Sequence, residues 1–310
     1  MNRFIYSWIF LLCVLATGCD SMFEKELPPH NLVGENAITN ESSAEVALNG
    51  IYSYLTSYGT MSAYYISDNE YRTGLLDSTY RTAFELNQLL EFEMNDEDGY
   101  VSAPWQLVYK MVNAANNFIY NVEKLSESKF GQNRKTEMLA EAKFTRAFAH
   151  AFLLRRYGYF WDTNSDYGPI IRLEPSALSN NNQGRSSVKE SYEKIFEDLD
   201  YAIKYGPEFY SRYRGCATTA KAFKADLLMN RGAEGDYAEA IRLADEVIGS
   251  SEFGLEATYR DIFTNGYNSK ELMFTRHLKS VPTMMANVGS LLKLFGGGTY
   301  KPSKLFLEIL

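Results

Sequence analysis

Cysteine and histidine are scarce in this 310-residue sequence, with three of each, and this scarcity limits the chemistry that the chain can support. The histidines lie far apart, without the short spacings that zinc ligands require. Cys13 and Cys19 lie near the N-terminus, and Cys216 has no partner once that region is processed, so we expect no disulfide framework. Motifs of serine nucleophiles and of phosphate-binding glycine loops are also absent. We therefore expect no enzymatic activity, no cofactor and no metal site.

Positive charge is also in deficit, because 31 Lys and Arg residues stand against 39 Asp and Glu residues, for a net charge of −8. A general nucleic-acid-binding protein would show a basic footprint, and no local block of Lys and Arg supplies one. Aromatic residues are abundant instead, with 23 Tyr and 19 Phe. Tyrosine combines an apolar ring with a polar hydroxyl, which suits sugar-binding surfaces and protein interfaces. The composition therefore argues against nucleic acid as a partner and favours ligands that contact aromatic rings.

The apolar run at residues 4–16 is too short to span a bilayer comfortably, and Arg3 supplies the positive start of a signal peptide. The sequence Ala16-Thr17-Gly18-Cys19 resembles a bacterial lipobox. We predict a signal peptide at residues 1–18 and lipidation of Cys19. Ordinary secretion, with cleavage near the same position, is the alternative.

Two further divisions of the chain are predicted after the signal peptide. Residues 19–40 show little periodicity and contain Pro28-Pro29, so we interpret them as a lipidated tether. Acyl chains on the N-terminus would anchor this tether in a membrane. Residues 41–310 are expected to form a helical domain.

The stretch at residues 137–159 predicts one long buried helix around which the domain is organised. Apolar side chains occupy nearly all of its faces, while charged residues such as Glu141 and Arg146 interrupt the run too often for a membrane span. Its alanines would let neighbouring helices approach closely. We expect Asn133 to cap the start of the helix and Gly158 to close its end in a left-handed conformation.

Further helices are predicted on both sides of this one. Apolar residues at helical spacing follow start signals near Asn40, Pro104 and Ser187. A helix pair is predicted at residues 219–250, where Gly235-Asp236-Tyr237-Ala238-Glu239-Ala240-Ile241 resembles the turn and second helix of a tetratricopeptide repeat. The expected fold class is mainly α, a tetratricopeptide-like array of helical hairpins with long loops.

Several segments in order resemble the SusD/RagB family, surface-exposed nutrient-binding lipoproteins of Bacteroidetes. The segments are Asn49-Gly50-Ile51-Tyr52, Trp105 with Tyr109 and Asn113-Ala114-Ala115-Asn116, the central run from Ala140 to Gly158, Tyr167-Gly168-Pro169-Ile170, and Lys270-Glu271-Leu272-Met273-Phe274. The last resembles the start of a strand in that family. The resemblance implies a SusD-like helical domain over residues 41–310. Family members continue considerably further, so it also implies that the C-terminal portion of the family fold is missing.

The resemblance implies a non-catalytic glycan- or nutrient-binding lipoprotein, anchored in the outer membrane and exposed at the cell surface. Such a protein would capture oligosaccharide or polysaccharide and pass it to a SusC-like TonB-dependent transporter. The alternative is a tetratricopeptide-like scaffold lipoprotein that binds proteins and no glycan. Tyrosines buried between helices, without an exposed aromatic surface, would favour the scaffold.

The ligand site is expected within residues 60–99, where helical periodicity breaks down and aromatic residues alternate with hydrogen-bonding side chains. Sugars have apolar C–H faces and polar edges, which such a mixture can contact, and the resemblance implies that loops from this part of the chain bind glycan. Packing of these tyrosines against the helices is the alternative. Trp161 and Tyr167 are secondary candidates for ligand or partner contact. The candidate ligand-binding residues are Tyr64, Tyr65, Asp68, Tyr71, Arg72, Tyr80 and Arg81.

Overall fold

Seven α-helices and two short strands are found in the residues that the computed structural model describes, which are 37–56, 73, 76–78, 99–275 and 300–302. The helices are α1 (Glu41–Ser53), α2 (Gly99–Glu123), α3 (Arg134–Tyr157), α4 (Val188–Tyr205), α5 (Ala217–Arg231), α6 (Asp236–Ile248) and α7 (Tyr259–Asn265). The strands β1 (Leu76–Ser78) and β2 (Tyr300–Pro302) pair antiparallel, with Leu76 opposite Pro302. All of these elements belong to the unit Ile38–Leu310. The fold is mainly α, as predicted, and none of the described helices is both long and apolar enough to cross a bilayer.

Helix α3 lies at the centre of the array and packs against α1, α2 and α4. Sixteen of its 24 residues are buried. Fully buried alanines such as Ala147 and Ala151 let neighbouring backbones approach closely. Phe144 fills the space toward α5, where its ring centroid lies 6.3 Å from that of Phe223. Because helices cover α3 on several sides, nearly all of its faces must be apolar, and the predicted central helix is confirmed.

Both ends of α3 differ in detail from the prediction. Asn133 precedes the helix with a φ of 61°, and its side chain makes no capping hydrogen bond. The expected side-chain cap is therefore wrong, and the Asn133 carbonyl instead accepts from the N–H of Glu137 at 3.0 Å. The left-handed Gly158 is also wrong, because this residue is extended, with φ −117° and ψ 169°. Glycine is required there by close packing, since a Cβ would lie 2.9 Å from the carbonyl oxygens of Leu154 and Tyr167.

Helices α5 and α6 form the predicted tetratricopeptide-like hairpin. Gly232 and Gly235 have φ values of 60° and 83°, the left-handed conformation that glycine adopts without steric cost. The Asp236 carboxylate fixes the turn, because it accepts from the backbone N–H of Ala233 at 2.8 Å and from Nε of Arg231 at 2.8 Å. The short turn and its carboxylate hold the two helices antiparallel.

A buried charge network ties α1 to the centre of the array. Glu141 on α3 is buried, and two arginines, Arg134 and Arg214, each contact both its carboxylate and that of Glu45 on α1. The Tyr210 hydroxyl donates a further hydrogen bond to Glu141 at 3.1 Å. Since two guanidinium groups face two carboxylates, the buried charge of Glu141 is compensated. Helix α1 is thus held by ion pairs as well as by apolar packing.

The segment after α7 does not form the strand that the sequence led us to expect. Residues 270–274 make a turn and a bend. The ring of Phe274 packs against the core, 5.2 Å from Phe144 and 5.8 Å from Phe148. Burial of an aromatic side chain therefore holds this segment without strand pairing.

Cys216 is a free, buried cysteine, as expected from its isolation in the sequence. It stands at the N-cap of α5, where its Sγ accepts from the N–H of Thr219 at 3.5 Å. The thiol is therefore part of a helix start.

Candidate functional site

Three exposed aromatic rings lie together in the loop that follows α3. Tyr159, Trp161 and Tyr167, which we call the aromatic platform, are 50%, 62% and 59% exposed. The rings of Tyr159 and Trp161 are stacked, with centroids 5.3 Å apart and 21° between their planes, and Tyr167 lies 5.2 Å from Tyr159. Single exposed aromatic residues are common on proteins, but here the ring of Tyr159 contacts both of the others, so the three form a continuous apolar surface. Such a surface is suited to a ligand or a partner.

Backbone hydrogen bonds give the platform loop a defined shape. The N–H of Tyr159 donates to the carbonyl of Tyr167 at 3.0 Å, which brings the two ends of the loop together. Between them, the N–H of Asp162 donates to the carbonyl of Tyr159 at 2.8 Å, and the Asp162 carboxylate accepts from the N–H of Asn164 at 3.0 Å. These bonds form tight turns and leave the aromatic side chains at the surface.

The ends of the platform loop are locked against neighbouring helices. A Cβ on Gly168 would lie 2.5 Å from the hydroxyl of Ser191 on α4, so the close packing of the loop against α4 requires glycine at this position. Arg185 donates through Nη1 to the carbonyls of Tyr157 and Gly168, at 2.9 and 3.0 Å, and so joins the residue before the loop to one at its end. A surface held in this way loses little conformational entropy when a ligand binds.

Phe160 anchors the start of the platform loop against the core. Its ring packs against the core and meets Trp161 edge to face at 5.1 Å. Its carbonyl accepts from the hydroxyl of Tyr192 at 3.0 Å. Burial raises the pKa of Tyr192 to about 12, so this hydroxyl stays protonated and able to donate. The exposed ring of Trp161 therefore rests on a fixed base.

Polar side chains surround the aromatic platform. Asp162, Asn164 and Asp166 are exposed in the same loop. Binding sites for small polar molecules combine aromatic surface with a few well-placed polar groups, and this loop offers both. The arrangement is therefore suited to reversible binding of such molecules. The described ranges contain no group of three or more His, Cys, Asp or Glu side chains placed to hold a metal ion.

The residues predicted from the sequence fall into two groups. The seven ligand candidates at residues 64–81 lie outside the described residues, and so does Cys19. The first turn of α2 lies at the end of α3 from which the platform loop departs, because the carbonyl of Val101 accepts from the Tyr157 hydroxyl at 2.8 Å.

The two secondary candidates, Trp161 and Tyr167, are both exposed and belong to one cluster. Sequence reasoning did not single out Tyr159, which contacts both of them. The available signal was the aromatic run Tyr159-Phe160-Trp161 directly after Gly158, at the end of a buried helix.

Comparison with known proteins gives a family match over most of the chain. The SusD-like family model described as "Starch-binding associating with outer membrane" matches residues 33–227. "SusD-like protein P2" of Formosa agariphila is 27% identical over 282 residues, which cover 89% of this chain and 53% of that protein. The chain spans about half the length of the curated relatives it matches.

Solved structures share the fold. A SusD superfamily protein from Bacteroides thetaiotaomicron superposes with a TM-score of 0.72 at 21% identity, over 88% of this chain and 61% of that one. A protein described as a laminarin-binding SusD-like protein superposes with a TM-score of 0.61 at 18% identity, over 76% of this chain and 51% of that one. At these identities the likeness concerns the architecture alone.

Proposed function

Because this chain belongs to the SusD-like family, we propose that it is a non-catalytic protein that captures oligosaccharide or polysaccharide outside the cell. The aromatic platform is the observation that carries this proposal within the described residues. Stacked Tyr159 and Trp161 present apolar ring surface, and the polar side chains of the same loop can contact sugar hydroxyls. The laminarin-binding neighbour supports a glucan as one ligand class to test.

The proposal extends to the location of the protein. A signal peptide at residues 1–18 and lipidation of Cys19 would anchor the chain in the outer membrane. Residues 19–40 would then be the tether, and residues 41–310 the SusD-like helical domain. The family description, with its association with the outer membrane, supports this placement.

We also propose delivery of the captured glycan to a SusC-like TonB-dependent transporter. Weak binding is sufficient for this task, since a Kd of 1 mM corresponds to only about 4 kcal/mol. A lipid tether beside the transporter would supply an effective concentration of about 1 mM, similar to such a Kd. The seven residues at positions 64–81, from Tyr64 to Arg81, remain proposed ligand contacts that would act together with the platform.

The second candidate function is a tetratricopeptide-like scaffold that binds protein and no glycan. Exposed apolar residues on α6, including Tyr237, Ile241 and Ile248, favour it. They follow one another at helical spacing on a repeat-like hairpin, which could accept another helix. The exposed platform favours glycan binding, because a scaffold has no need of stacked rings beside hydrogen-bonding side chains.

The proposed function is tested by calorimetric titration of the full chain with laminarihexaose and maltohexaose. Trp161→Ala should weaken binding by about tenfold or more, because it removes a stacking surface. Tyr259→Ala is the matched control, since Tyr259 is also exposed and also contacts a second ring, that of Phe263. Equal affinities of wild type and Trp161→Ala would exclude the platform as the site, and failure of a broad neutral glycan panel to bind would favour the scaffold.

A further inference from the structure

A cleft of about 380 Å³ lies along the N-terminal half of α2, between this helix and the chain at residues 170–181. Its volume is within the range of small-molecule sites, roughly 300–1,000 Å³. The cleft is separate from the aromatic platform, because none of the three platform residues lines it.

Hydrogen bonds from α2 hold the opposite wall of the cleft in place. The Tyr109 hydroxyl accepts from the N–H of Ile170 at 2.9 Å and donates to the carbonyl of the same residue at 3.1 Å. Further along, the Asn113 side-chain oxygen accepts from the N–H of Ser176 at 2.8 Å. The Asn116 amide donates to the carbonyl of Arg172 at 3.0 Å. The wall is therefore formed before any ligand arrives.

The cleft is positively charged in an acidic protein. Lys110 and Arg172 line it, and none of its lining residues is acidic. In the described part of the chain neither cation forms a salt bridge, and the Arg172 guanidinium donates only to the backbone carbonyls of Asn180 and Asn181, at 3.0 and 2.9 Å. Six other arginines are paired with carboxylates, namely Arg134, Arg146, Arg155, Arg214, Arg231 and Arg242. Two cations without counter-ions in one concave site attract an anion.

The remaining groups in the cleft suit a ring with several hydroxyls. Trp105 supplies aromatic surface, and its ring is fixed by contacts with Tyr109 at 4.8 Å and with Tyr157 at 5.1 Å. Gln106 and Asn181 bring amide groups, and no hydrogen bond of either side chain is found within the described ranges. An aromatic wall, free amides and two cations together correspond to the chemistry of an acidic sugar.

We propose that this cleft binds a saccharide that carries an anionic group, a carboxylate or a sulfate ester. Lys110 and Arg172 contact the anion, Trp105 packs against the sugar ring, and Gln106 and Asn181 hydrogen-bond to hydroxyls. The choice of a saccharide rests on the function proposed above. The charge preference rests on the cleft alone.

The test uses Trp105 as a reporter inside the cleft. The full chain has three tryptophans, so the double variant Trp8→Phe/Trp161→Phe leaves Trp105 as the single one. Its fluorescence is titrated with trigalacturonate, a sulfated carrageenan disaccharide and neutral galactotriose. At least one acidic probe should give a saturable change with a Kd about tenfold below that of galactotriose, since charge-assisted hydrogen bonds are the stronger ones. The two acidic probes distinguish carboxylate from sulfate.

Substitutions then locate the charge preference. Lys110→Gln removes an exposed, unpaired cation and should raise the Kd for the acidic probe about tenfold without changing that for galactotriose. Gln106→Ala should raise the Kd for both probes by about threefold, because it removes a neutral hydrogen-bonding group. Lys129→Gln is the matched control, since Lys129 is also exposed and lies outside the cleft, and it should change neither.

Two results would overturn the proposal: no preference for either acidic probe, or an equal effect of Lys110→Gln and Lys129→Gln. This failure is distinguishable from failure of the proposed function, which is tested with neutral glucans and Trp161→Ala. If the protein binds glucan but shows no preference for the acidic probes, only the proposal for the cleft is overturned. If the protein does not bind glucan but binds an acidic probe in a way that depends on Lys110, the proposal for the platform is overturned and the proposal for the cleft stands.

Discussion

His150 is buried on α3, and its two ring nitrogens have unequal environments. Nε2 accepts from the N–H of Arg172 at 3.3 Å, so the proton of the neutral ring is assigned to Nδ1. Nδ1 is buried and has no hydrogen-bond partner within the described residues. Burial, and secondarily the positive charge of Arg146, lowers the pKa of His150 to about 3. The folded protein therefore keeps this histidine neutral under conditions in which an exposed histidine is charged.

This difference predicts a specific dependence of stability on pH. Between about pH 6.5 and pH 3 the unfolded chain binds a proton at His150 and the folded chain does not, so acidification favours unfolding. The free energy of unfolding of the wild type should fall by about 1.4 kcal/mol per pH unit more steeply than that of His150→Phe between pH 6 and pH 4. Urea titrations at several pH values measure both slopes, and parallel slopes would contradict the prediction.

At the residue scale, sequence reasoning found part of the candidate site. Trp161 and Tyr167 were recognisable because large aromatic residues in a surface loop often contact a ligand or a partner. Tyr159 was missed because it is the last residue of the predicted helix at 137–159, whereas α3 ends at Tyr157. The cleft was beyond prediction, because it depends on Lys110 and Arg172, which are far apart in sequence and adjacent only after α2 and residues 170–181 pack together.

Helices α2, α3 and α4 are joined by one buried ion pair. Arg146 on α3 donates through Nε and Nη2 to the two carboxylate oxygens of Asp198 on α4, at 2.7 and 2.8 Å. Its Nη1 donates to the side-chain oxygen of Asn116 on α2 at 2.8 Å. Both charged groups are buried. A bidentate pair of this kind fixes the relative position of helices as well as neutralising charge.

Breaking this pair on one side should destabilise the array strongly. Asp198→Ala leaves the guanidinium of Arg146 buried without a counter-ion, which should cost about 3–5 kcal/mol in chemical denaturation. The double variant Arg146→Met/Asp198→Leu should recover most of that loss, because it removes both charges. Glu197→Ala is the control, because the ion pair of Glu197 with Lys194 is solvent-exposed. This substitution should not measurably change the free energy of unfolding. A single variant no less stable than the double one would contradict the argument.

At the element scale, the central helix α3 and the hairpin of α5 and α6 were predictable because each carries a local signal, whereas α2 begins at Gly99, before the predicted start near Pro104. The apolar pattern of α3 predicted its burial, and the run after Gly235 predicted the turn between α5 and α6. The same pattern showed Arg146 only as an interruption, since its partner lies 52 residues away. The prediction of a left-handed Gly158 was wrong for a similar reason, because its conformation depends on contacts with Tyr167, which lies beyond the helix.

Burial differs from helix to helix in the part of the chain that the structure describes. Sixteen of the 24 residues of α3 are buried, whereas none of α7 is. The exposed rings of Tyr259 and Phe263 on α7 contact each other. Apolar burial supplies most of the free energy that holds an element in place, so the two helices should differ in how they open.

Hydrogen exchange followed by mass spectrometry measures this difference. Amides in the middle of α3 should exchange only through global unfolding, so their protection should match the free energy of unfolding and fall with urea at the global slope. Amides of α7 should exchange through local opening, with protection lower by several kcal/mol and insensitive to urea. Asp198→Ala should then reduce the protection of the α3 amides by about 3–5 kcal/mol, the same amount by which it lowers the free energy of unfolding. It should leave the protection of the α7 amides unchanged. Loss of protection in both helices together would mean that the described array opens as one unit, without a stable centre around α3.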